Sequence, residues 1–194
     1  MIVPVPGCTQ DPSVTSGRYH QQSRKPVTAT LYRDLMSSFP TGVAVITSFD
    51  QHGRPHGMTC TSLSSVTLTP PTLLVCLNRR SGTLDAVQTY GSFAINLLHS
   101  RARRVAEIFS GPVPDRFSQV RWRLSNVAGL PWLFEDAFAL AECTVRKSSI
   151  VGDHEVVLGE VCEVVLHGSD VPLLYGMRQF STWLPDRVEE VTAT

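Results

Sequence analysis

Apolar residues recur through Thr28–Phe39 at Leu31, Leu35, Met36 and Phe39, with Arg33 and Asp34 off that stripe. This is the spacing of one helix face, and Pro40 ends it. Thr41-Gly42 then turns the chain into Val43–Thr47, an apolar, β-branched run that predicts a buried strand. Asp50-Gln51-His52-Gly53 is a hairpin-turn sequence and predicts a return strand from Arg54 to Cys60. Pro70-Pro71 breaks the chain before a third strand over Leu73–Leu77. Leu84–Tyr90 predicts a short helix, and the alternation of Phe93, Ile95 and Leu97 predicts a strand over Ser92–Leu98. Arg101–Ser110 predicts a helix with Val105, Ile108 and Phe109 on its apolar side and Gly111 as its stop. Phe138–Lys147 and Glu155–His167 alternate as the arms of a long hairpin around Gly152-Asp153. Leu173–Tyr175 and Gln179–Thr182 predict short closing strands.

Strands outnumber helices, and no strand–helix–strand series repeats. Neither GxGxxG nor GxxxxGK[ST] occurs, which disfavours a doubly wound nucleotide fold. The pattern predicts a mainly β chain, an antiparallel barrel with peripheral helices. Residues 1–27 are rich in Pro, Ser, Thr and Gln and predict a flexible N-terminal tail. One domain is expected over 28–185, followed by a C-terminal tail over 186–194.

Composition narrows the function classes. Lys plus Arg equals Asp plus Glu at 17 each, so no bulk charge draws the chain to nucleic acid. Charged residues are 18%, against about 25% in ordinary soluble domains. That deficit points to a large buried fraction, a subunit interface included. The apolar runs are too short to span a bilayer, and the start MIVPVPGCTQ lacks the pattern of a secretory signal. The five cysteines show no CxxC spacing, which argues against a disulfide framework and against a zinc site. No metal ligand, nucleic-acid partner or membrane partner is expected, and the predicted location is the cytoplasm.

Four places could carry chemistry. Thr59–Ser65 holds five hydroxyl residues, which fits either a Ser/Thr-rich edge strand and loop or a surface that meets a polar ring edge. Arg79-Arg80-Ser81-Gly82-Thr83 lies between a strand and a helix. It is compatible with an ordinary cap and with an anion site at a helix start. Arg101, Arg103 and Arg104 form either a solvated face or a clamp for a coenzyme 2′-phosphate. Gly152-Asp153-His154 caps the long hairpin, where the imidazole is either a surface residue or a group that can stack and hydrogen-bond.

Taken in order, several segments resemble one family. Phe39-Pro40-Thr41-Gly42-Val43-Ala44-Val45-Ile46-Thr47 is followed by His56-Gly57-Met58-Thr59, Ser62, Ser65-Val66, Pro70-Pro71 and Leu77-Asn78. Phe93-Ala94-Ile95-Asn96, Phe109, Asp115-Arg116-Phe117, Gly152-Asp153-His154, Leu158-Gly159-Glu160-Val161 and Pro172-Leu173-Leu174-Tyr175 complete the set. Over about residues 30–181 the chain resembles the flavin-reductase-like family of FMN-binding split barrels. Within it, the chain looks most like the short-chain NAD(P)H:flavin oxidoreductases that feed reduced flavin to a separate monooxygenase. The resemblance implies a homodimer of antiparallel split β-barrels that uses FAD or FMN with NADH, NADPH being possible. It implies flavin contacts at Thr41, Gly42, Met58, Thr59, Cys60, Thr61, Ser62, Ser64 and Ser65. It places the ribityl phosphate near Asn78, Ser81 and Thr83, and the outer flavin near Phe109, Arg116 and Phe117. It puts His154 against the nicotinamide, with Gly152, Asp153, Tyr175 and Phe180 as neighbours. No side chain is assigned a bond-making role, because hydride passes directly between the two rings. Two other functions remain open at this level: a flavin-binding electron-transfer or carrier protein, and a self-contained flavin-bound oxidoreductase.

Overall fold

In the computed structural model, which describes residues 26–168 and 170–183, the apolar run after Pro40 becomes a strand whose six residues are all buried. The tail expected over 1–27 falls outside the described residues except for Pro26 and Val27, and 186–194 lies outside them entirely. The strands are β1 (Thr41–Gly42), β2 (Ala44–Phe49), β3 (Pro55–Cys60), β4 (Ser64–Leu68), β5 (Pro71–Asn78), β6 (Ser92–Leu98), β7 (Arg123–Leu124), β8 (Pro131–Trp132), β9 (Ala137–Val151), β10 (His154–Leu166), β11 (Leu173–Gly176) and β12 (Gln179–Thr182). The helices are α1 (Ala29–Ser37), α2 (Gly82–Tyr90) and α3 (Arg103–Ser110), with a 3-10 turn at Arg116–Ser118. Among the described residues no helix is long and apolar enough to cross a membrane.

Seven strands form one antiparallel sheet in the order β3-β2-β6-β9-β10-β5-β4. The sheet curls until its two ends share an interior. Cys60 of β3 and Val75 and Leu77 of β5 sit in one buried cluster with Ile46, Phe93 and Val157. Leu84 and Val87 of α2 fill that cluster from outside the sheet. β3 and β4 each end the sheet and do not pair with one another, so the barrel is split there. Strand β2 is buried on both faces: Ala44 and Ile46 point into this interior, and Val45 packs with Val105, Ala106 and Phe109 of α3. Gly159 lets β10 cross Phe93, since a Cβ there would lie 2.5 Å from Phe93 Cζ. Inside the wall, Asn96 Nδ2 donates to Val45 O at 2.9 Å, and Leu133 N donates to Asn96 Oδ1 at 2.8 Å. That pair ties β2 and β6 to the segment following β8 and satisfies a polar side chain with no solvent exposure.

The elements agree with the sequence pattern at most positions, with several differences. Thr41-Gly42, expected as a turn, is a strand paired with β11, and the short β7-β8 pair was not expected. Ser64–Leu68 is a strand of its own, although its residues are all exposed and give no hydrophobic alternation. Gly111 ends α3 in extended backbone, with φ −96°, rather than in the left-handed form expected of a glycine stop. The apolar stripe of α1 buries nothing: Leu31, Leu35 and Phe39 are each more than half exposed. The helix is held instead by its polar end, where Met177 N donates to Ser37 O and Arg178 pairs with Asp34.

One carboxyl pair, buried at Glu142 and half-buried at Glu163, links the long hairpin to the loop before β8. Glu142 has no solvent exposure, and its carboxylate accepts from Val127 N and Ala128 N. Its cross-strand partner is Glu163, whose Oε2 is buried without a partner. Two carboxylates offer only acceptors, so the pair can bond only where Glu163 carries a proton. The hydrogen bond to Glu142, and then burial, push Glu163 above its ordinary value of 4.5. A folded-state pKa above the unfolded one gives stability that is full below the unfolded value and is lost as pH rises through the folded one. The melting temperature of the parent is therefore expected to fall as pH is raised above 4.5 through the Glu163 titration. Glu163→Gln keeps a donor and cannot ionise, so its thermal melts should show a shallower slope over that range. An unchanged slope contradicts the protonated Glu163.

Candidate functional site

Strand β3 ends the sheet, so both of its faces are reachable beside one free edge. A groove of about 820 Å³ wraps around that edge, within the usual range for small-molecule sites. On one face, Gly57 is buried beneath Phe109 and Phe117; a Cβ at Gly57 would lie 2.8 Å from Phe109 Cε1. The two rings meet edge to face with centroids 5.2 Å apart. Phe109 lies in the last turn of α3, and Phe117 sits in the 3-10 turn that follows it. Arg116 fixes that turn against the strand: Nη1 donates to Gly57 O at 2.8 Å and Nη2 donates to Gly111 O at 2.6 Å. On the other face of β3, His56 and Met58 line the groove opposite the first turn of α2.

That first turn is capped by Ser81, whose Oγ accepts from Leu84 N at 3.2 Å. The N–H groups of Gly82 and Thr83 have no protein acceptor among the described residues. Arg54, Arg80 and Arg116 add positive charge along the walls, and Asp115 is the one acidic residue lining the groove. Asp50, in the turn before β3, fastens this side. Its carboxylate accepts from His52 N, Arg54 N, Arg54 Nε and His56 Nε2, at 2.8, 2.9, 2.8 and 3.2 Å. Desolvation alone would raise its pKa, but these donors outweigh it and hold the carboxyl well below the usual range. Asp50 is therefore ionised across the working pH range.

Of the residues expected at the site, Met58, Ser81, Thr83, Phe109, Arg116 and Phe117 line this groove together. The side chains of Thr59, Cys60 and Ser62 are occupied elsewhere. Thr59 Oγ1 donates to Ala106 O at 2.7 Å, and Ser62 Oγ accepts from Cys76 N at 3.0 Å. Cys60 is in the core, where burial pushes its thiol up; burial likewise takes Cys143 up to about 12. Neither is a thiolate nucleophile. Thr61, Ser64 and Ser65 are exposed around the bend between β3 and β4. Around this bend, backbone groups and the hydroxyls of Thr61 and Ser65 are left to meet a ligand, while those of Thr59 and Ser62 are not.

Asn78 and His154 are brought together as cross-strand partners on β5 and β10. Arg79 N donates to Asp153 O at 3.0 Å, and Gly152, with φ +60°, makes the hairpin turn. A smaller hollow of about 390 Å³ opens here, lined by Arg79, Arg80, Gly152 and Asp153, with Arg80 common to both spaces. His154 Nδ1 lies 2.8 Å from Asp153 Oδ1, and its side chain is 45% exposed. The hydrogen bond from His154, followed by its charge, holds Asp153 below the usual carboxylate range. An ionised Asp153 accepts only, so Nδ1 carries the hydrogen and Nε2 is left free. Thr41 and Gly42 pair with Tyr175 and Leu174 in the separate β1-β11-β12 sheet. Tyr175 and Phe180 meet edge to face with centroids 5.2 Å apart and pack on the cluster containing Phe109, outside the groove lining.

The sequence pattern gave no individual role to Arg54, His56 or Gly57, and it held Arg80 only as part of an anion site left open against an ordinary helix cap. The first three belong to the return arm of a hairpin it recognised. Its period of two puts His56 on the face of Met58, a usable signal. Gly57 could not be read, because its meaning depends on Phe109 and Phe117, which arrive from far along the chain.

Comparison with known proteins covers nearly the whole described fold. Residues 36–184 match the family described as flavin reductase like domain. The "Flavin reductase (NADPH)" of Lentzea aerocolonigenes is 67% identical over 160 residues, covering 82% of this chain and 93% of the relative. A Streptomyces globisporus NADH:FAD oxidoreductase, solved in complex with NAD and FAD fragments, superposes with a TM-score of 0.76 at 30% identity. It covers 81% of this chain and 94% of that one. BorF, the flavin reductase component of a bacterial two-component tryptophan halogenase, superposes with a TM-score of 0.74 at 30% identity. It covers 82% and 100%.

Proposed function

The chain belongs to the flavin reductase-like family, and from that premise we propose that it transfers hydride from NADPH or NADH to FAD or FMN and releases the reduced flavin to a separate flavin-dependent monooxygenase or halogenase. The observation that carries this reading is the groove around the β3 edge. An aromatic wall of Phe109 and Phe117 faces a helix start with free N–H groups and arginines, which fits a flat ring carrying a phosphate.

Bound flavin supplies the hydride-accepting ring nitrogen. The protein's own work is to hold and orient. Free backbone N–H groups of β3 and of the bend at Thr61–Leu63 suit the carbonyl edge of the ring. Gly82 and Thr83 N–H, with Arg80 near them, suit the phosphate. His154 is a positioning residue: with Nδ1–H given to Asp153, Nε2 faces the nicotinamide carboxamide, accepting from its amide as the neutral ring or donating to its oxygen as the imidazolium. The absence of a thiolate at Cys60 and Cys143 is no obstacle, because hydride transfer between stacked rings needs no protein nucleophile.

We propose the homodimer on two exposed apolar surfaces. One is the α1 stripe of Leu31, Leu35, Met36 and Phe39; the other is formed by exposed apolar side chains on the sheet, Val66 and Leu68 of β4 and, separately, Val164 and Leu166 of β10. Solvated monomers rarely keep such areas uncovered. The unpaired thiols of Cys60, Cys76, Cys143 and Cys162 fit the reducing cytoplasm, where reduced coenzyme is also available.

Oxidation of NADPH and NADH, followed while free FMN or FAD is varied, tests the activity. The rate should saturate in flavin. No turnover would identify a carrier, and a rate independent of added flavin would identify a self-contained oxidoreductase. In the same assay His154→Ala should raise the apparent KM for the coenzyme and slow flavin reduction by roughly 10- to 100-fold, or about 1.4–2.7 kcal/mol, while oxidised-flavin affinity holds. Parent-like reduction would remove His154 from the coenzyme site. Sedimentation at micromolar concentration should give twice the chain mass, and an active monomer would contradict the dimer.

A further inference from the structure

His56 is the one imidazole lining the groove, and the protein commits only half of it. Nε2 is tied to Asp50 at 3.2 Å, and the ring lies over the start of α2, where a Cβ on Gly82 would come within 3.1 Å of Nδ1. Nδ1 has no partner among the described residues. Asp50 is fully engaged by four donors from its own turn and strand, so the ring it holds is fixed in azimuth. Asp50 lies behind the ring, and the charged groups that line the groove with it are Arg54, Arg80, Asp115 and Arg116.

Resting on the flavin reading above, we propose that His56, oriented by Asp50, binds the phosphate of the flavin mononucleotide unit through Nδ1. Asp50 is an ionised acceptor, so Nε2 carries a hydrogen. Nδ1 then meets a phosphate oxygen through one shared proton, brought either by the imidazolium or by a hydrogen phosphate. Such a contact is directional, unlike those of the mobile arginines around it, and it sets where the phosphate end of the flavin stops along the groove. It favours phosphorylated flavins over riboflavin, whose ring is identical and whose side chain ends in a hydroxyl.

Two amide variants separate the two nitrogens. The amide nitrogen of Asn falls near the position of Nδ1, and that of Gln near Nε2. Affinities for riboflavin, FMN and FAD are measured by equilibrium titration on the parent, His56→Gln and His56→Asn, with a thermal melt of each. His56→Gln keeps the bond to Asp50 and should lose roughly 10-fold in FMN and FAD affinity, with riboflavin unchanged. His56→Asn should hold FMN affinity within about 3-fold even where its melt is lower, because it keeps the donor and gives up the Asp50 contact. An equal loss for riboflavin, an equal loss in both variants, or unchanged FMN affinity in His56→Gln overturns the assignment. A parent that binds no flavin overturns the functional reading itself. A parent that binds flavin while both variants match it overturns only the role of His56.

Discussion

One guanidinium makes the groove. Arg116 donates to Gly57 O on β3 and to Gly111 O at the end of α3, closing the loop between them onto the sheet. Bonds from a charged donor are worth about 1.5–3 kcal/mol each, enough to hold a short loop with little core of its own. Everything on that wall follows from the closure. Phe117 is carried against Phe109, both rings settle over Gly57, and the absence of a side chain at Gly57 lets them do so. A lysine could not replace this clamp, because a single ammonium lacks the planar fork that reaches two carbonyls at once.

The split in the barrel gives this wall something to face. Had β3 paired with β4, the hydrogen-bonding groups of its outer edge would be used up and both of its faces enclosed. The split leaves one strand edge open beside the start of α2, and α2 is itself anchored in the barrel by Leu84 and Val87. A rigid sheet therefore presents free backbone donors on one side and a helix start on the other. A hydride-transfer protein that must also release its flavin needs this kind of site: oriented, polar at two ends, and built without a covalent anchor.

Much of the fold was legible because its strands announce themselves. In Ser92–Leu98, Phe93, Ile95 and Leu97 alternate with smaller residues up to the Leu97-Leu98 end, and the segment forms β6 over the same residues. The long hairpin turns at Gly152, as its sequence suggests. Strand β4 was hidden because pairing, rather than burial, defines it; its residues are exposed and its register is set by β5. The site was legible in part. Ser81 could be read as a cap from its spacing, and Phe109, Arg116 and Phe117 were assigned to the ligand through resemblance. That Arg116 holds backbone first, and that Thr59 and Ser62 spend their hydroxyls on α3 and β5, are facts of tertiary placement. A run of hydroxyl residues shows what a segment can bond to, but not which partners reach it.

The central claim is that the groove between the β3 edge and the first turn of α2 is the flavin seat. The most direct measurement is a crystal structure of the protein soaked with FMN. The account predicts the phosphate at the N–H groups of Gly82 and Thr83, and the ring along β3 and the bend beyond it, bordered by Phe109 and Phe117. Flavin seated against Tyr175 and Phe180, or with its phosphate away from α2, would contradict it.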